Sequence, residues 1–231
     1  MTRRVLFVGL LALAAAGGAA RAAPPVVLEL FTAQGCASCG EANAHVAKLA
    51  DEKGVIALTW SVDYWDYLGW KDTFAKPEFA DRQRDYAAKL GVAEVYTPQV
   101  VVDGREQTPG VKDEEVDRLV REARHVAFDP PQMRFLGDRI AVGSGRRPRD
   151  GAEIWLVRYD PREQDIEVKD GDNRGHTVVE RNVVVQLARL GAWRGRPVLL
   201  PLPPPTEPGL DTVVIVQGAH GGKIIGVAEA P

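Results

Sequence analysis

The chain has 231 residues, a formal net charge of -3 and 26% charged residues. Both signs are interspersed, so neither a basic face for nucleic acid nor a charged stripe for a membrane surface is expected. No solenoid-length repeat is visible, and the single low-complexity tract is the proline-rich stretch at 201–209, "PLPPPTEPG".

The first segment, "MTRRVLFVGLLALAAAGGAARAAPP", places Arg3 and Arg4 before an apolar run and ends in small residues, with Ala20 and Ala22 in an A-x-A arrangement. This is the layout of a cleavable signal peptide over residues 1–22. The run is shorter than the ~20 apolar residues that span a bilayer. A periplasmic or secreted protein without stable membrane insertion is therefore expected, exported by a general or a twin-arginine route.

After the leader, "VVLELF" at 26–31 and "VIALTWSV" at 55–62 read as buried strands. Between them Ala42, Val46, Leu49 and Ala50 recur at helical spacing and stop near Gly54. Strand, helix and strand form a βαβ unit with a parallel pair. The only two cysteines, Cys36 and Cys39, lie in the turn between the first strand and the helix.

The segment "DYWDYLGWKDTF" follows the second strand at its carboxyl end, the edge where sites gather in open α/β sheets. Tyr64, Trp65, Tyr67 and Trp70 are candidates for an aromatic wall. Asp63 and Asp66 either influence thiol protonation or cap the next helix. "KPEFADRQRDYAAKLG" is expected as a helix stopped by Gly91. "TPQVVVDGREQTPG" reads as a hairpin about Asp103-Gly104, and "DEEVDRLVREARHVA" as an amphipathic helix with acids in its first turn.

Past Pro130 and Pro131 the pattern breaks into short alternating runs separated by Gly, Pro and Asp-Gly turns. Two units are expected, at 23–130 and 131–231, the second an antiparallel β-rich module in the manner of a small sandwich. "TVVERNVVVQLARLG" fits both periods, with its β-branched first half favouring strand. The polar loop "GDNRGH" holds Asp170, Asp172, Asn173 and His176, residues that serve equally well as ligand contacts or turn formers.

In an exported chain a cysteine pair commonly makes a structural disulfide. A bridge from Cys36 to Cys39 closes so short a loop that chain entropy supplies only about 2 kcal/mol. At a helix start, by contrast, the dipole and free N–H groups favour thiolate. Cys36, expected to be the more exposed, is the candidate nucleophile and Cys39 the resolving thiol. The same spacing also suits a soft metal such as Cu(I) or Zn, held without turnover. His45, His125, His176 and His220 are scattered, however, so no metal centre is assigned, and no cofactor is called for.

The order strand, "GCASC", strand, helix, then "TPQVVVDG" resembles the thioredoxin superfamily. Together with "ELFTAQGCASC", "VDYWDYLGWKDTFAKPEFADRQRDYA", "VYTPQVVVDG" and "GDNRGHTVVERNVV", it looks like a bacterial family of secreted, thioredoxin-like proteins of unknown function. The resemblance implies a thioredoxin-like domain, a mixed sheet flanked by helices, ahead of the β-rich module. It also implies a cis Thr97-Pro98 bond beside the cysteines that leaves the Thr97 backbone free for an extended substrate. Thioredoxin-type sites usually carry Trp before the first cysteine and Gly-Pro between the pair, where this chain has Gly35 and Ala37-Ser38.

The expected activity is thiol–disulfide exchange with protein or small-molecule thiols, or with a redox partner protein. Cys36 and Cys39 carry the chemistry, Thr97, Pro98, Trp65 and Trp70 contact substrate, and Ser38 and Asp63 tune the thiols.

Overall fold

The computed structural model describes residues 24–126 and 129–231. The leader assigned to residues 1–22 lies outside the described residues. None of the described helices is long and apolar enough to cross a membrane.

An eight-stranded mixed sheet organises the chain. Its amino-terminal half contains β1 (Val26–Thr32), β2 (Val55–Ser61), β3 (Gln99–Val102) and β4 (Glu106–Pro109). Three helices accompany them: α1 (Cys39–Leu49), α2 (Pro77–Leu90) and α3 (Asp113–Ala123). β1 and β2 pair in parallel, Leu28 opposite Ala57, because the connection through α1 returns the chain in the same direction. β3 and β4 form the hairpin expected at Asp103-Gly104, whose two turn residues have φ of 50° and 59°.

Both faces of β1 and β2 are apolar because both are covered. Val26, Leu28 and Leu30 meet Ala42, Val46 and Leu49 of α1 and Val116, Leu119 and Val120 of α3. Val27, Phe31, Ile56, Leu58 and Trp60 meet Phe79, Ala80 and Tyr86 of α2 on the other face. His45, read as a packing or surface residue, ties α1 to α3, with its Nε2 2.9 Å from Asp117 Oδ1.

A polar network is sealed inside this core. Arg82 of α2 donates from Nε to Glu29 Oε1 at 2.7 Å and from Nη2 to Glu29 Oε2 at 3.1 Å. Tyr86 donates to the same carboxylate, and Gln217 Nε2 donates to the Tyr86 hydroxyl at 3.0 Å. Glu29 is fully buried, so removing Arg82 alone would strand its charge at a cost of about 3–5 kcal/mol.

The carboxyl-terminal half is strand-rich, and "TVVERNVVVQLARLG" forms β9 (Thr177–Glu180) and most of β10 (Val183–Trp193), separated by a break at Arg181-Asn182. It does not form a separate sandwich. With β7 (Ala152–Asp160), β12 (Asp211–Gly218) and β13 (Ile224–Glu229), β10 continues the same sheet, in the order β13-β12-β7-β10-β2-β1-β3-β4.

The open edge of β2 explains the join. Val183 pairs in parallel with Thr59, whose N–H donates to Asn182 O at 3.0 Å and whose hydroxyl donates to Arg181 O at 2.6 Å. Val157, Val184, Val213 and Ile215 therefore share one apolar cluster with Phe31 and Trp60. The opposite face of these strands is covered by a small sheet of β5 (Met133–Leu136), β6 (Arg139–Val142) and β11 (Val198–Pro201). A separate two-stranded ladder pairs β8 (Gln164–Glu167) with β9 and packs along α1.

Candidate functional site

Cys36 and Cys39 are joined by a disulfide, with Cα atoms 5.4 Å apart. β1 ends at Thr32, and two overlapping turns follow: Cys36 N–H donates to Ala33 O and Cys39 N–H donates to Cys36 O, each at 3.1 Å. The helix begins at Cys39, with Ser38 as its N-cap. The dipole end thus falls on Cys39, with Cys36 one turn outside it. Ser38 makes no capping hydrogen bond and instead lies with Oγ 3.6 Å from Cys36 Sγ.

One sequence expectation changes here. Cys36 does not stand exposed ahead of Cys39: the two are 2% and 1% exposed, both buried, while Ala37 and Ser38 face solvent. Gly35, which stands where thioredoxin-type sites carry Trp, has a φ outside the left-handed region, and an added Cβ would meet only Trp65 Cβ at 3.6 Å.

The Thr97-Pro98 bond is cis. Gly110 lets this strap approach α1, since a Cβ there would lie 3.0 Å from both Ala42 Cβ and Pro98 Cβ. Trp65 Nε1 donates to Thr97 Oγ1 at 2.8 Å, and Gln83 Nε2 donates to Tyr96 O at 2.8 Å. The Tyr64 hydroxyl donates to Gln83 Oε1 at 3.1 Å, and burial pushes its pKa up to about 12.

Trp70 faces a different partner. Its Nε1 donates to Gln34 Oε1 at 2.9 Å, which fixes the turn leading to Cys36. Trp65 and Trp70 are thus tied into the loops around the disulfide, whereas Tyr67 is 80% exposed. Asp63 accepts the Asp66 N–H through its backbone carbonyl, an interaction within the loop. Asp66 Oδ1 accepts the Asp72 N–H at 3.0 Å, so its carboxylate organises the loop.

The carboxyl-terminal half closes over this face. Asn173, in the "GDNRGH" loop, donates from Nδ2 to Gln34 O at 2.8 Å. The loop also lies against the 68–70 segment, where a Cβ on Gly69 would meet Asp170 Cγ at 3.4 Å. The cysteines are buried with the apolar cluster that includes Phe31, Ala33 and Val62, against which Trp65 packs, and a loop some 135 residues away in sequence is hydrogen-bonded to the turn that leads into them.

Beneath the amino-terminal turn of α1 lies a polar cluster that motif reading overlooked. Thr32 Oγ1 donates to Asn43 Oδ1 at 2.8 Å, and Asn43 Nδ2 donates to Val179 O at 3.2 Å. Ser61 Oγ donates to Glu180 Oε2 at 3.1 Å, leaving Glu180 Oε1 without a hydrogen-bond partner. Burial, with the nearby Asp72 charge, raises the Glu180 pKa from 4.5 to about 8.

Asp72 is itself raised to about 6 by burial, against the pull of N–H donors from Gln34, Phe74 and Ala75. Glu180 therefore holds a proton at neutral pH. Its one sequence signal is the alternation of β9, which points Val178 and Glu180 inward and Thr177 and Val179 outward. No group of three or more His, Cys, Asp or Glu side chains able to hold a metal occurs among the described residues.

The chain is similar to the crystal structure of protein AGR_C_4864 from Agrobacterium tumefaciens: 32% identity, TM-score 0.69, covering 91% of this chain and 95% of that one. It shares a fold with HBP35 of Porphyromonas gingivalis at 12% identity and TM-score 0.59, covering 90% of this chain and 74% of that one. No curated protein matches it. A family model described as a protein of unknown function, DUF1223, matches residues 27–217, across both halves of the sheet, and the chain belongs to that family.

Proposed function

We propose that the protein is an exported thiol–disulfide oxidoreductase with a thioredoxin-like site, exchanging its Cys36–Cys39 disulfide with protein or small-molecule thiols. The observation that carries this reading is the disulfide itself, closed within one turn at the start of α1, beside the cis Thr97-Pro98 strap. The short loop makes it a weak staple. A thiolate on Cys39 would meet the amino-terminal dipole of α1, which lowers the free energy of the reduced form.

The exchange balances as follows. A substrate thiolate attacks Cys36 Sγ, the Cys36–Cys39 bond breaks, and Cys39 Sγ leaves as thiolate at the helix start. A second substrate thiolate then attacks the substrate sulfur of the mixed disulfide and releases Cys36. The substrate loses two electrons and two protons, and the protein dithiol gains them. The reverse sequence reduces a substrate disulfide.

Cys36 is buried, so either direction begins with opening of the loops around it, for which release of Asn173 from Gln34 O is the proposed first step. The test is a glutathione redox series together with turnover of a disulfide substrate of insulin type. Exchange activity is expected in the wild type and lost in Cys36→Ser. Activity unchanged in that variant refutes the assignment.

A further inference from the structure

The fold gathers on one face arginines that lie interspersed with acids along the chain. Segments 132–150 and 194–201 hold seven arginines and two aspartates, a local charge of +5 in a chain of net charge -3. Asp150 is held by Lys89 at 3.0 Å, which leaves Asp138, at the β5–β6 turn, as the other acid of these segments. All seven arginines are exposed, and none forms an ion pair or a side-chain hydrogen bond among the described residues.

Five of them emerge from two loops at one end of the small sheet, Arg146, Arg147 and Arg149 after β6 and Arg194 and Arg196 before β11. The loops touch. Gly145 N–H donates to Gly195 O at 3.2 Å, and a Cβ on Gly195 would lie 3.5 Å from Arg147 Cβ, so Arg147 emerges beside Arg194 and Arg196. Buried Trp193 ties the loops down, donating from Nε1 to Gly143 O at 3.2 Å.

The other two stand on the sheet itself, among apolar side chains. Strand alternation sends Ile140, Val142 and Leu200 into the core. The opposite side carries Arg134, Ala141 and Leu199 in one cross-strand row and Leu136, Arg139 and Pro201 in the next. Leu136 and Leu199 are 49% and 48% exposed, and with Met133, Arg134, Ala141 and Pro197 they line an open groove of about 880 Å³. Aliphatic side chains left in water beside unpaired cations mark an interaction surface.

We infer that this face docks the protein on the surface of an anionic phospholipid bilayer, with the arginines at lipid phosphates and Leu136 and Leu199 at the acyl boundary. Guanidinium groups pair with phosphate through parallel N–H donors, and the leucines gain by leaving water. Nucleic acid would use the arginines and leave the leucines idle. An anionic ligand of fixed shape calls for guanidinium groups held by their neighbours, whereas these seven are unheld, so a fluid surface that brings phosphate to each of them suits the face. The inference is independent of the oxidoreductase reading.

The test is cosedimentation with vesicles of phosphatidylcholine alone or of an equal mixture with phosphatidylglycerol. The chain is used from Ala23 onward, which keeps every described residue and removes the apolar run of the leader. The wild type is expected to bind the mixed vesicles at least about a hundredfold more strongly than the neutral ones. Each arginine removed should weaken binding by about fivefold, so Arg146→Gln, Arg147→Gln, Arg194→Gln and Arg196→Gln together abolish it. Leu136→Asn with Leu199→Asn should weaken it by about tenfold. Every substituted side chain is exposed, and an unchanged circular dichroism spectrum checks the fold of the variants. Absent binding of the wild type to mixed vesicles, or equal binding to both kinds, overturns the inference whatever the variants do. Arginine-dependent binding that the leucine substitutions leave intact also overturns it, because that is the behaviour of a site for nucleic acid or an acidic protein.

Discussion

Reduction of the Cys36–Cys39 bond offers the most direct separation of a redox switch from a structural staple. The bridge spans a sequence separation of 3, so its four-residue loop restricts the unfolded chain little. Chain entropy gives about 2 kcal/mol of stabilisation for such a loop, against nearly 5 for a loop of about 100 residues. In the folded state the surroundings are held without it. The eight-stranded sheet, the buried Glu29–Arg82 pair, the Asn43 bonds to Thr32 and β9, and the Trp65 and Trp70 bonds involve neither sulfur atom, so they are expected to persist on reduction.

The cost of reduction is local, since two buried thiols replace one bond and the turn at Ala37-Ser38 must widen. Urea unfolding with and without a phosphine reductant, followed by far-ultraviolet circular dichroism, should give a stability difference of about 2 kcal/mol with a nearly unchanged m-value. The Cys36→Ser, Cys39→Ser variant should match the reduced protein. Loss of cooperative unfolding on reduction, or a difference of about 5 kcal/mol or more, would refute the reasoning and return the pair to a structural role.

Two further outcomes follow from the site. Glu180 keeps its proton when folded up to a pKa of about 8, whereas its ordinary value is 4.5, so the folded state binds one more proton between those values. That contribution is complete below pH 4.5 and is lost as pH rises through 8, at up to about 1.4 kcal/mol per unit. Glu180→Gln should therefore gain stability relative to wild type on going from pH 5 to pH 8.5 in urea titrations, and parallel curves would contradict the buried, protonated state. Asn173→Ala removes the bond to Gln34 O, a net contribution of about 1 kcal/mol. Reduction of the disulfide by a small thiol should accelerate by about fivefold, read by stopped-flow Trp fluorescence. An unchanged rate would show that this loop does not limit access.

Much of the amino-terminal half is legible from residue patterns. The runs at 26–31 and 55–62 are apolar on both faces because helices cover both, and helical spacing, Gly91 and the Asp103-Gly104 turn mark the elements between. Such signals are local, so they survive without knowledge of partners. The strand character of the first half of 177–191 was also readable from its β-branched residues, whereas its second half fitted helix as well as strand.

Long-range consequences were not legible. That residues 131–231 extend the first sheet depends on β2 having an open edge and on Arg181 and Asn182 meeting Thr59 and Ala57, contacts across more than 120 residues. The tie between the cysteine turn and the carboxyl-terminal half depends on Asn173 reaching Gln34, and the raised pKa of Glu180 depends on its burial and on Asp72, against the Ser61 hydrogen bond. In "TVVERN" only the alternation that pairs Glu180 with Val178 on one face distinguishes its glutamate from a surface acid. The sequence by itself determined which residues can do thiol chemistry and where the local elements begin and end. The tertiary structure decided whether those thiols are covered and which carboxyl groups hold protons, because exposure and electrostatic environment belong to groups brought together from distant parts of the chain.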